Sequence, residues 1–318
     1  MKRKITLLIN KSEIAAGTRG SSLGPEAVMA AARKEDSQFF GSYPIEYSDE
    51  VNHMLDHPVK HPFAKRIEGL LTVYKSVTRK VKKILLSDRF PLVLAADHAS
   101  AGATISGIKA AHPDKRLGVV WIDAHADLHS PYTTPSGNMH GMPLAIALNE
   151  DNIVEQKNSI STEVIEYWNK LKSIAFEGPK VDPEDVVFIS VRDTQEQEDA
   201  MMSRLNMINY TVDELREKGI EKIVSCVIEK LDKCDIIYVS FDVDSLDPNI
   251  TSFGTGTSVK KGLKPDEASY MLYEFAKHPK TVCIEFVEIN PCLDDKKNKM
   301  AEVAFDLLKN TVVGIEDN

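Results

Sequence analysis

Asp123, His125 and Asp127 close the run "LGVVWIDAHAD" (residues 117–127), each two residues from the next. Carboxylates and imidazoles are ligands for divalent cations, and the apolar run before them reads as a buried strand. Three further apolar runs end in polar groups. "PLVLAADHAS" ends in Asp97 and His98, "IIYVSFDVDSLDP" in Asp242, Asp244 and Asp247, and "TVCIEFVEINP" in Glu285 and Glu288. A single Asp after a strand is ordinarily an N-cap or turn residue. Several carboxylates at one sheet edge are another matter, because they repel one another and lose hydration unless positive charge sits among them. A divalent metal is the simplest such charge, and two suit this many acids better than one. His and Asp donors without Cys fit manganese, cobalt, nickel or zinc, and a carboxylate-rich set suits manganese.

Side chains from distant segments meet only if the fold carries them to one place. The strand candidates are residues 5–10, 91–96, 117–123, 186–191, 236–244 and 281–289, each continuously apolar as in strands covered on both faces. Helical patterns separate them: "GPEAVMAAARKE", "RIEGLLTVYKSVTRKVKKILL", "TEVIEYWNKLKSIA", "TVDELREKGIEKIVSCVIEKL", "KPDEASYMLYEFAKH" and "KMAEVAFDLLKN". Such alternation predicts an α/β fold of three layers, α/β/α, with a mostly parallel central sheet. Without repeats, low-complexity tracts or a linker, residues 1–318 read as a single domain. Ligands of an open parallel sheet bind beyond the carboxyl ends of its strands, so the polar run ends are predicted to share one rim.

The 318 residues, 42% hydrophobic and 27% charged, are ample for a sizeable core. A formal net charge of -9 argues against a general nucleic-acid or membrane-surface role and leaves a small cationic substrate open. Cys226, Cys234, Cys283 and Cys292 show no CxxC spacing and read as reduced thiols of a cytoplasmic protein. "MKRKITLLIN" reads as a first strand rather than a signal peptide, and no run approaches the roughly 20 apolar residues of a membrane span. His53, His57, His61, His112 and His278 read as surface residues. A metallophosphoesterase would share the Asp-x-His after a strand. It also needs Gly-Asn-His and Gly-His-x-His steps, which His129, His140 and His278, the histidines after Asp127, do not supply.

"DAHAD" (123–127), "SFDVDSLDP" (240–248) and the Asp-His of "AADHAS" (95–100) together resemble the metal-binding signatures of the ureohydrolase family: arginases, agmatinases and formimidoylglutamases. The resemblance extends from "GTRGSSLGPEAV" (17–28) to "EINP" (288–291), and "TTPSGNMHG" (133–141) resembles the loop by which arginases grip the amino-acid end of their substrate. It implies an arginase-like fold, two divalent ions, most readily manganese, and a homo-oligomer, trimer or hexamer. His98, Asp123, Asp127 and Asp242 would hold the first ion; His125, Asp123, Asp242 and Asp244 would hold the second. The implied reaction is attack of a metal-bridging hydroxide on L-arginine, giving L-ornithine and urea. His140 matches the family's proton shuttle and Glu288 the carboxylate that fixes the guanidinium. Thr134, Ser136 and Asn138 fall where arginases bind the α-carboxylate, and Glu198 where they approach the α-amino group. Departures from the pattern bear on specificity. His129 stands where many arginases have an Asn that touches the carboxylate, and Gln195 where they have an Asp for the ammonium, which weakens amino-group recognition or shifts it to Glu196 or Glu198. "AADHAS" replaces a Gly-Gly-Asp-His-Ser, and Ser245 replaces a Gly. "DAHADLH" and "MHGMPL" resemble a divergent bacterial arginase branch in which some members prefer cobalt. Another guanidino or formimidoyl substrate, and a catalytically silent metal-binding member, are the alternatives.

Overall fold

The computed structural model describes residues 2–318. Its strands are β1 (Ile5–Asn10), β2 (Ile45–Tyr47), β3 (Phe90–Ala95), β4 (Leu117–Ile122), β5 (Val186–Ile189), β6 (Ile208–Tyr210), β7 (Ile236–Asp242) and β8 (Thr281–Val287). They form one eight-stranded sheet in the order β2-β1-β3-β8-β7-β4-β5-β6, and every neighbouring pair runs parallel. The six apolar runs supply all but the two edges. β2 and β6 are three residues each and no better than half-buried, too short and too mixed for a continuous apolar pattern to register.

Alternate residues of each strand enter two separate cores. Leu92, Leu94, Val120, Ile122, Val239 and Phe241 pack on one face; Val93, Ala95, Val119, Trp121 and Tyr238 pack on the other. This two-sided burial explains why the strands read as unbroken apolar runs. The first face is covered by α1 (Gly24–Glu35), and the second by α2 (Ile67–Leu86), α3 (Ser100–Ala111), α4 (Pro143–Leu148), α5 (Thr162–Lys172) and α6 (Glu196–Arg204). α7 (Val212–Lys218), α8 (Ile220–Lys230), α9 (Pro265–Lys277) and α10 (Lys299–Glu316) complete the first. Helix starts carry recognisable chemistry: Pro265 opens α9, and the Lys264 N–H donates to Glu267 Oε2 at 2.8 Å.

Two helical expectations need correction. "TVDELREKGIEKIVSCVIEKL" is not one helix, because Gly219 takes φ 85 and separates α7 from α8; the left-handed region is open to glycine at little cost. Neither the short α4 and α6 nor the longer α3 was anticipated. The α3 sequence, SAGATISGIKAA, is buried over nearly its whole length, so it lacks the polar face on which periodicity depends. Gly102 and Gly107 let it lie close on α2, since a Cβ at either would stand 2.4 Å from Tyr74 Oη or 2.7 Å from Val81.

Candidate active site

The polar strand ends arrive side by side. Asp97 and His98 follow β3, Asp123 follows β4, Asp242 ends β7 and Glu288 follows β8, and β3-β8-β7-β4 are consecutive in the sheet. His98 Nδ1 lies 3.0 Å from Asp123 Oδ2, 3.0 Å from Asp127 Oδ2 and 3.2 Å from Asp242 Oδ2. His125 Nδ1 lies 3.0 Å from Asp244 Oδ2 and 3.5 Å from Asp123 Oδ1. The result is two clusters, His98/Asp123/Asp127 and Asp123/His125/Asp244, that share Asp123. Asp242 joins the first through Oδ2, while its Oδ1 accepts the Asp244 N–H at 2.7 Å.

Charge crowding dominates here. Burial and the Asp244 and Asp123 charges push the Asp242 carboxyl well up. Burial and Asp123 hold Asp127 up, to about 6, against the pull of His98. Burial also opposes ionisation of Asp123, but hydrogen bonds and charge from His125 and His98 outweigh it and hold that carboxyl below the usual range. The residues fit a bound cation on independent grounds. His98 Nδ1 is buried and makes no hydrogen bond despite three carboxylate oxygens around it. Ligands about 2.1 Å from one ion at right angles stand about 3 Å apart, the spacing observed. The other ring nitrogen, Nε2, is 2.7 Å from Ser240 Oγ; as donor to that oxygen it leaves the Nδ1 lone pair free for a metal.

A cavity of about 260 Å³ opens beside the clusters, walled at one end by His98, His125, Asp127 and Asp244 and at the other by Thr134, Ser136, Asn138, Gln195 and Glu198. His140, its side chain 18% exposed, lies on the wall and contacts Glu288 Oε1 through Nδ1 at 3.0 Å. Glu288 Oε1 also accepts the His98 N–H at 2.9 Å. Asp127 (φ 53) and Glu288 (φ 67) are both left-handed, a conformation that costs non-glycine residues on the order of 1 kcal/mol or more and collects at functional sites.

Known proteins resemble this chain over nearly its whole length. The sequence model described as the arginase family matches residues 7–314. The chain belongs to the arginase family. It is 33% identical over 313 residues to an arginase of Bacillus subtilis, covering 98% of each chain. A crystal structure of the Bacillus subtilis arginase superposes with a TM-score of 0.81 at 31% identity, and the native arginase structure of Bacillus caldovelox with 0.81 at 30%, each covering 98% of both chains.

Several side chains that build the site in this arginase-family chain were not singled out from the sequence. Trp121 stacks on His98 with ring centroids 4.2 Å apart, and its Nε1–H donates to Asp123 Oδ2 at 3.0 Å. Ser240 supports His98, and the Thr257 hydroxyl donates to Asp244 Oδ2 at 2.8 Å. Trp121 and Ser240 each sit two residues before a strand-end Asp, on the same face of their strand; that spacing was the available signal. Glu285, Asp247 and Asp97, all named with the rim, stand outside the two clusters. Glu285 is buried within β8, where it accepts from Tyr238 Oη at 2.7 Å. Asp247 caps a turn, accepting the N–H of Asn249 and of Lys261. Asp97 likewise accepts from the backbone of Ala15 and Ala99.

At the far end, His129 Nε2 is 2.6 Å from Gln195 Oε1 and 3.5 Å from Glu198 Oε2, and Nδ1 is 3.1 Å from Thr133 Oγ1. A ring nitrogen facing two acceptors carries the proton. Gln195 therefore has one oxygen lone pair engaged by His129 and retains its NH2 as a free donor. Both Glu198 oxygens accept backbone N–H groups, Oε1 from Leu128 and Oε2 from Gln195. Thr134 Oγ1 accepts from Gly137 N and Ser136 Oγ from Asn138 N, which leaves each hydroxyl hydrogen available. This end of the cavity is rich in donors.

Proposed function

We propose that residues 1–318 act as one ureohydrolase domain that hydrolyses L-arginine to L-ornithine and urea. The observation that carries this reading is the cavity itself, with two His/Asp clusters sharing Asp123 at one end and uncommitted donors at the other. His98, Asp123, Asp127 and Asp242 would hold one divalent ion and His125, Asp123, Asp242 and Asp244 a second, manganese or cobalt by donor type. Two such ions, when bound, would supply hydroxide near neutral pH, the nucleophile that hydrolysis of a guanidinium requires. The chain's own residues orient the substrate and move protons. Thr134, Ser136 and Asn138 donate to the carboxylate. Glu288 Oε1 holds His140 by Nδ1, which turns Nε2 toward the cavity to deliver a proton to the departing amine. Glu288 Oε2 accepts from the guanidinium, for which a carboxylate is the best-matched partner. Among the described residues no helix is long and apolar enough to cross a membrane.

One observation favours a second reading within the same chemistry. Gln195 offers a donor where an ammonium needs an acceptor, so a guanidino acid without the α-amino group would lose little here.

Urea release by manganese-reconstituted protein tests both readings with three substrates: arginine, agmatine (no carboxylate) and 5-guanidinopentanoate (no ammonium). Agmatine strands the carboxylate donors, each lost bond costing about 1–3 kcal/mol, so its kcat/KM is expected to be roughly tenfold or more below that of arginine. Equal kcat/KM for agmatine and arginine would end the arginine reading. Gln195→Asp restores a charged acceptor and is expected to lower KM for arginine by about tenfold while kcat moves less. An unchanged KM in that variant places amino-group recognition elsewhere.

A further inference from the structure

Lys65 lies outside the cavity wall, in the segment before α2, yet its Nζ is 2.9 Å from Asn138 Oδ1. A lysine ammonium has donors and no acceptor, so the atom it contacts must be the oxygen. That contact fixes the Asn138 carboxamide one way round. The amide Nδ2 then lies over Gly17, where a Cβ would stand 2.7 Å from it, and it donates to no acceptor among the described residues. Asn138 is therefore held as a donor on the cavity wall, with a cation directly behind it.

The hold is rigid at the backbone too. The Lys65 N–H donates to the Gly137 carbonyl at 2.9 Å. Gly137 has φ 74, and a Cβ there would stand 1.8 Å from the Pro62 carbonyl oxygen, so the two segments touch through a position that excludes any side chain. The nearby Lys60 reaches Glu68 at 3.9 Å, whereas Lys65 reaches no carboxylate among the described residues. A cation left without a counter-ion beside an open amide donor favours an anionic ligand group through both charge and hydrogen-bond polarisation.

We propose that Lys65 is a positioning residue that commits the far end of the cavity to a substrate carboxylate, through the orientation it imposes on Asn138. The inference rests on reading that end as the carboxylate site. It adds that selection between carboxylated and decarboxylated guanidino compounds is set from Lys65, one layer behind the wall.

The test compares wild type with Lys65→Met, which keeps the length and removes the donors, and with Lys65→Arg, which keeps donors and charge. A hydrogen bond to a charged group corresponds to roughly a 10- to 100-fold change in an equilibrium constant. Lys65→Met is expected to raise KM by that factor for arginine and for 5-guanidinopentanoate, with kcat moving by less than about threefold. The arginine-to-agmatine ratio of kcat/KM falls by the same factor, and Lys65→Arg recovers most of it. Calorimetric binding gives a readout without turnover: ornithine affinity should fall in Lys65→Met, and the affinity ratio of ornithine to 1,4-diaminobutane should fall with it. Gly17→Ala, which displaces the Asn138 amide from the other side, should reproduce the shift and serves if Lys65→Met does not fold. A KM for both carboxylated substrates within about twofold of wild type overturns the proposal, as does an equal loss on all three substrates, which marks a merely structural lysine. If wild type hydrolyses 5-guanidinopentanoate but not arginine, the arginine reading fails while the Lys65 test still stands.

Discussion

Asp123→Ala is expected to leave the protein with less than one bound divalent ion and to lower kcat/KM by at least about 1000-fold, the scale of the several kcal/mol that metal ions contribute to such reactions. Asp123 is the residue common to both clusters, so its loss removes a ligand from each. Asp127 belongs to one cluster, and Asp127→Ala should retain more metal. Asp242→Ala, removing the carboxylate 3.2 Å from His98 Nδ1, should fall nearer to Asp123→Ala. Asp123 also accepts from Trp121 Nε1 and from the His125 N–H, so Asp123→Asn, which keeps an acceptor in place, separates loss of metal from loss of fold. Elemental analysis after reconstitution reads the outcome. Two full equivalents in Asp123→Ala would refute the shared-ligand assignment.

His140→Asn should bind both metals normally and turn over about 10- to 10,000-fold more slowly, the range of general acid–base catalysis. The imidazole is placed for that work by one contact, Nδ1 to Glu288 Oε1 at 3.0 Å. Burial disfavours its charged form, but the Glu288 charge and hydrogen bond, with Asp127 and Asp97 behind, hold its pKa up to about 9. Its unfolded value is about 6.5. The stability from the charged pair is thus fully present below about pH 6.5 and is lost as pH rises through about 9. In metal-free protein, the Tm difference between wild type and His140→Asn should shrink across that window; a constant difference would show that His140 is neutral throughout. In metal-loaded protein the Asp127 charge is compensated, so the alkaline limb of kcat should lie below pH 9 and vanish in the variant. Undiminished turnover from neutral to alkaline pH would mean that the proton leaves by another route.

The sequence by itself determined the layered α/β fold, because strands buried on two faces must be apolar along their whole length, and it marked where polar groups interrupt that requirement. β3, β4, β7 and β8 could be read with the polar groups that follow them because a carboxylate next to a buried apolar run is conspicuous. Four things required the tertiary structure. The edge strands β2 and β6 are stabilised by pairing to neighbours far along the chain, which three residues cannot announce. α3 has no polar face, so its burial against α2 is visible only when the two are packed. Glu285 and Asp247 share the composition of the rim residues, yet strand register puts one inside the sheet and turn geometry commits the other to backbone N–H groups. The far end of the cavity was the least legible. The polarity that Gln195 and Asn138 present depends on which end of each carboxamide is already engaged, and the partners that decide it, His129 and Lys65, lie 66 and 73 residues away in the chain. Residue type fixes what a side chain can donate or accept; only its neighbours in space decide which of those capacities is left for a ligand.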